Sequence, residues 1–165
     1  MGRDVKTRRA ADWFAASVLA LLLTAVTGAA LYPGMPDPVP VHWDGSGSPD
    51  RFAPKTAWTV FAPLLTGLGC VAFLWLLHRF LPALSRSLGT AGARDIGAGK
   101  DVVAQLAPAL TALIGWLSIR GWLGWDGAAS IWIPTVLFMF IGIGLVFRAV
   151  SAAAALLPHP GPRSK

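Results

Sequence analysis

The chain has 165 residues, enough for one domain, with 55% hydrophobic and only 13% charged; a soluble domain carries roughly 25% charged residues, so that class is excluded. The net charge is +6, but the cations stand at the ends of apolar runs rather than in a patch interleaved with aromatics, which argues for membrane topology and against nucleic acid. Cys70 is the single cysteine, so an intramolecular disulfide is excluded too.

Met1 to Asp12 is basic, with Arg3, Lys6, Arg8 and Arg9. The first apolar run follows over 13–31. It is read as an uncleaved anchor rather than a signal peptide, because it exceeds the usual apolar core of about 7–15 residues. It also ends in Leu31-Tyr32-Pro33, an interfacial sequence. Ser17, Ala20, Thr24 and Gly28 fall near one helical face, where small residues let helices approach closely in lipid.

The second run covers 56–80. Pro63 should kink it, and Thr59, Ala62, Thr66 and Cys70 form a second small stripe. His78 and Arg79 close it at the interface. A flexible Gly/Ala/Ser loop is expected over 81–101, with Arg86, Arg94 and Lys100. The third run spans 102–123, with Gln105 and Pro108 near its start. Arg120, Trp122 and Trp125 mark its far end, as an aromatic belt does. Arg120 and Asp126 are expected as a solvated pair of little energetic weight. The fourth run spans 131–150, with Ser130 as N-cap, Pro134 in the first turn and close-packing points at Gly142 and Gly144. The tail over 151–165 is expected to be disordered.

Four runs of about 20 apolar residues are the length of membrane-crossing helices, so the expected fold is an all-α, four-helix integral membrane protein. With the N-terminus inside, the inner segments hold eleven of the fourteen cations and the outer ones only Arg51, Lys55 and Arg120. That bias places both termini in the cytoplasm and the 32–55 connection outside.

The 32–55 connection is the one long polar segment. Pro33, Pro36, Pro38 and Pro40 fix φ and hold their predecessors extended. Val39, Val41 and Trp43 alternate with Pro40 and His42 like a short strand. Asp44-Gly45 and Gly47-Ser48-Pro49 are turn signals. The expectation is an ordered, Pro-rich, extended-then-turn loop that caps the outer helix ends, with Trp43 and Phe52 on the bundle or in the headgroups.

The series Tyr32-Pro33, Pro36, Val39-Pro40-Val41-His42-Trp43, Gly47-Ser48-Pro49-Asp50-Arg51 and Lys55 resembles domain-of-unknown-function family 1648. Its members follow a first transmembrane helix with a P-x-x-P-x-x-[VI]-P-x-H-[FW] segment, then G-x-P-D and a Lys opening the second helix. The resemblance covers about 13–80. The same module begins SdpI-type membrane proteins, whose namesake is an immunity protein against a secreted peptide toxin and signals its presence. It therefore implies a bacterial inner-membrane protein with this loop outside.

Two classes of function follow. The first is a non-enzymatic membrane protein that recognises a peptide, a lipid or a partner membrane protein through Pro40, His42, Trp43, Gly47, Pro49, Asp50 and Lys55. No catalytic residue, cofactor or metal is assigned, and the oligomeric state is left open. Away from their ends the spans carry only Ser, Thr and Gln105 as polar groups, which disfavours a transport path. The alternative is a metal-dependent enzyme or transporter subunit using His42, Asp44 and Asp50, residue types that ligate zinc or move protons. Within the loop, His42 or Asp50 is expected to bond to backbone. Asp50 is expected to pair with Arg51 or Lys55, and Lys55 with Asp50 or Asp44, offsetting its unfavourable place at a helix start.

Overall fold

A computed structural model describes residues 2–88 and 93–154. Four helices dominate: α1 (Gly2–Leu31), α2 (Ala57–Leu88), α3 (Ala93–Leu123) and α4 (Ala128–Ala154). Each contains a stretch long and apolar enough to cross a membrane: Arg9–Gly34, Ala57–Ser87, Ile96–Leu123 and Ala128–Ser151. This is the architecture of a multi-pass membrane protein.

The helices overrun the expected bounds. The basic segment 1–12 is helical from Gly2 onward, because nothing between Arg3 and Thr27 breaks a helix. The loop expected over 81–101 is mostly helix as well. Leu81–Leu88 continues α2 through Pro82, and α3 begins at Ala93. The Ala, Leu and Arg content of these flanks supports helix once a neighbouring span has nucleated it. Residues 89–92 and the expected tail over 155–165 lie outside the described residues, while Ser151–Ala154 belongs to α4.

α3 is the central helix and packs on α1, α2 and α4; α1 also packs on α2. The face α1 buries runs Ala10, Phe14, Ser17, Leu21, Thr24 and Gly28. That alternating spacing of four and three is the 3.5-residue repeat of left-handed helix packing. Three of the four small residues named from sequence are in it, whereas Ala20 is half-buried and Leu21 takes its place. On α2 the packed face is Val60, Leu64, Gly67 and Val71, not the stripe of Thr59, Ala62, Thr66 and Cys70. Thr66 is exposed, and the other three are half-buried. Small polar residues did not mark the interface there; the apolar 4-3-4 series one residue on did.

α4 packs chiefly on α3, and none of its most apolar stretch is buried. Ser130 lies within its first turn rather than capping it. Its Oγ donates to the Gly127 carbonyl at 2.7 Å. The 32–55 connection contains a 3-10 turn (Tyr32–Gly34) and two antiparallel strands, β1 (Val39–Trp43) and β2 (Pro49–Ala53). Val39 pairs with Ala53, Pro40 with Phe52, His42 with Arg51 and Trp43 with Pro49, with irregularities on both sides of His42. The hairpin packs at the bundle end formed by the C-termini of α1 and α3 and the N-termini of α2 and α4.

Candidate functional site: the hairpin clasp

The connection is tied at its base by Lys55. Its Nζ donates to the Met35 carbonyl at 3.0 Å and lies 5.6 Å from the centre of the Tyr32 ring, while its N–H donates to Asp37 Oδ1 at 3.1 Å. Met35 is buried. Lys55 thus joins the entry and exit of the loop, and its contacts are with Met35, Asp37 and Tyr32 rather than the expected Asp50 or Asp44. Thr56 then caps α2, accepting the Thr59 N–H at 3.1 Å.

At the tip, Asp44 builds the turn. Its Oδ1 accepts from Ser46 Oγ at 2.6 Å, Ser46 N at 2.8 Å and Ser48 N at 3.1 Å. These bonds, the Ser46 hydroxyl foremost, hold the Asp44 carboxyl below the usual carboxylate range. Asp50 pairs with His42, with Nδ1 and Oδ1 2.5 Å apart and both side chains nearly half exposed. The three residues offered for metal or acid–base chemistry therefore divide into a turn former and a separate surface pair. Among the described residues no group of three His, Cys, Asp or Glu side chains is placed to hold a metal.

The centre of the site is a residue that sequence reasoning placed at the solvated edge. Arg120, near the end of α3, is 1% exposed. Its Nη2 donates to the Gly47 carbonyl at 2.7 Å and its Nε to Ser130 Oγ at 2.5 Å. The guanidinium lies 4.9 Å from the Trp43 ring centre, a cation–π distance. Asp126 is not its bonded partner. One buried cation thus joins β1, the hairpin turn, α3 and α4, with its charge delocalised over groups that accept or polarise.

The turn geometry makes that junction possible. Gly47 has φ +83°, and an added Cβ would lie 2.4 Å from the Gly127 carbonyl carbon. The Gly47 carbonyl also accepts the Gly127 N–H at 3.2 Å. Trp132 Nε1 donates to the Gly45 carbonyl at 3.0 Å. Pro134 has no N–H to give the Ser130 carbonyl four residues back, and Trp116 Nε1 donates there instead at 2.7 Å. On the other flank, Trp122 Nε1 donates to the Val60 carbonyl at 3.2 Å, one residue past the carbonyl that Pro63 leaves without its helical partner. Of the two tryptophans read as an interfacial belt, Trp122 is here a specific backbone donor, as are Trp116 and Trp132.

Of the seven sequence-named site residues, Trp43, Gly47 and Pro49 meet the α3–α4 junction or its strand pair, and Pro40 borders the groove beneath β1. His42 and Asp50 form the outer pair, and Lys55 belongs to the base. Arg120, Gly127, Ser130 and Trp132 were missed as site residues. Their signal was present in one respect: a cation at the end of an apolar run must find acceptors, and Asp126 was only the nearest in sequence. Between β1, α2 and α3 lies an open, largely apolar cavity of about 560 Å³, lined by Val41, Trp43, Trp58, Pro63, Leu117 and Trp122 among others.

With this geometry established, comparison with known proteins locates the module. Residues 19–67 match the family model described as a domain of unknown function, DUF1648. The segment carries this domain. It takes in the second half of α1, the hairpin and the start of α2. Arg120, Gly127, Ser130 and Trp132, which receive the DUF1648 hairpin, all lie outside the matched segment. No curated protein and no solved structure matches the chain.

Proposed function

We propose that the protein works by recognition and not by catalysis. In this reading it sits in a bacterial inner membrane with the hairpin end outside and both termini in the cytoplasm. The groove beneath β1 receives a hydrophobic segment of a secreted peptide or of a partner membrane protein. The observation that carries this reading is the groove itself. It is apolar, aromatic-walled and of small-ligand size, and one wall is a hairpin that Arg120 holds in place. The charge bias supports the orientation. The resemblance to SdpI-type proteins supports immunity or signalling as the biological setting. The bonds made by Asp44 and the His42–Asp50 pair weigh against the metal-dependent alternative.

The test is photo-crosslinking in whole cells from a benzophenone residue at Trp58. A protease-sensitive adduct that disappears when Thr59→Trp fills the groove is expected. Adducts to lipid alone, or a peptide adduct indifferent to Thr59→Trp, would remove the recognition reading. Cysteine labelling from outside at Ser46→Cys checks the orientation independently.

A further inference from the structure

At the opposite end of the bundle lies a different kind of cavity, an open one whose Arg9, Asp12 and Arg148 are exposed. It has about 600 Å³ and lies between α1, α3 and α4. Its charged lining is Arg9 and Asp12, one turn apart on α1, Asp101 on α3 and Arg148 on α4. Gln105 joins them; its Nε2 donates to the Asp101 carbonyl at 3.0 Å, leaving the amide oxygen as an acceptor. Asp101, Gln105 and Arg148 also line a second cavity of about 330 Å³ between α3 and α4. Among the described residues the only salt bridge is His42–Asp50. Among the described residues, two cations and two carboxylates therefore line one space without pairing with each other.

We infer that this cavity is a binding site for a membrane phospholipid with a zwitterionic phosphate–ammonium headgroup. Two observations choose this ligand over a free anion or a solvated charge cluster. The first is depth. Arg9 opens the first apolar stretch, Arg148 lies three residues before the end of the fourth, and Asp101 lies five residues into the third. At 1.5 Å per residue, all are within about 8 Å of a span end, the level of the headgroups. The second is the wall. α1 and α4 both pack on α3 but not appreciably on each other, so the cleft between them opens towards the acyl chains. Trp13, Ala16 and Ala104 continue the lining as apolar surface.

The charge set then specifies the headgroup. The two guanidinium groups suit a phosphodiester, which Arg binds through paired N–H donors. Asp12 and Asp101 suit an ammonium, which brings three N–H donors. A purely anionic headgroup would satisfy the arginines but leave the carboxylates facing like charge. A fully methylated amine keeps its charge but offers no N–H.

Native mass spectrometry of the full chain in detergent tests this, with phosphatidylethanolamine, phosphatidylglycerol, phosphatidylcholine and inorganic phosphate as probes. One phosphatidylethanolamine is expected to be retained about tenfold more tightly than phosphatidylglycerol or phosphatidylcholine. Arg9→Gln and Arg148→Gln should each lower its retention by about tenfold, and Asp101→Asn should raise phosphatidylglycerol to parity. Asp12→Asn makes the same test should Asp101→Asn not fold, and thermal unfolding in detergent verifies each variant. Equal retention of all three lipids, no loss in either Arg variant, or displacement of the lipid by inorganic phosphate would each overturn the proposal.

Discussion

The two ends of this helix bundle solve the same problem in opposite ways. Both must place cations beside apolar spans. At the hairpin end the cation Arg120 is buried, and its bonds run to the Gly47 carbonyl and Ser130 Oγ, with the Trp43 ring beside it. At the other end Arg9, Asp12, Asp101 and Arg148 line a cavity with no ion pair among them. The first arrangement spends its cation on architecture, because a buried guanidinium is tolerated only when its donors are satisfied from within. The second leaves its charges available to something outside the chain. A charged residue at a span end is thus not one category: Arg120 is buried and bonded from within, whereas Arg9, Asp12 and Arg148 are exposed.

The comparison is broken most severely at Arg120. Arg120→Ala should leave the Ser130 hydroxyl without its donor, weaken the hold on the Gly47 carbonyl and open a cavity beside Trp43, costing about 3 kcal/mol. Denaturation of the purified protein measures this, and the hairpin should become protease-sensitive before the helices unfold. Gly47→Ala comes next, at about 2 kcal/mol, from a left-handed φ and a Cβ driven against the Gly127 backbone. Protease protection of the hairpin should fall with little change in helicity by circular dichroism. Trp132→Phe removes the single bond to the Gly45 carbonyl and should cost about 1 kcal/mol, read in the same assay.

The smallest effect concerns pH. Because the folded Asp44 carboxyl is held below its ordinary value of 3.8, the unfolded state takes up a proton first as pH falls. The contribution of Asp44 is therefore fully present above the ordinary Asp range and is lost as pH drops through the lowered folded value. Hairpin protection should weaken slightly on acidification into that range, and Asp44→Asn should flatten the dependence. A parent hairpin indifferent to acid would show that the Ser46 and Ser48 bonds do not organise the turn. None of these four changes should alter lipid retention at the far end, since every altered contact lies at the hairpin end.

The helical spans could be read from the chain because run length and hydropathy are local properties, and lipid demands helices that satisfy their own backbone. The strand-like alternation over Val39–Trp43 and the turn residues Asp44-Gly45 and Gly47-Ser48-Pro49 were local too, and β1 and β2 form there. The seven residues picked for a binding motif were harder, because sequence proximity suggested one cluster where the structure has three: a base at Lys55, an outer His42–Asp50 pair and an inner junction at Trp43 and Gly47. Helix ends were drawn too early at both flanks, since charged and small residues that look like loop continue a helix already nucleated by its apolar turns.

What the sequence by itself determined is the material of the protein: four apolar helices, a Pro-rich connection carrying the DUF1648 signature and a charge bias from end to end. The tertiary structure alone decided which polar groups meet. Arg120 and Gly47 are 73 residues apart in the chain, as Trp132 and Gly45 are 87 apart. No local pattern encodes such partners. Only when α3 and α4 close under the hairpin does the Gly47 carbonyl come within reach, and a buried guanidinium then takes the acceptors that are there rather than the carboxylate that is near in sequence.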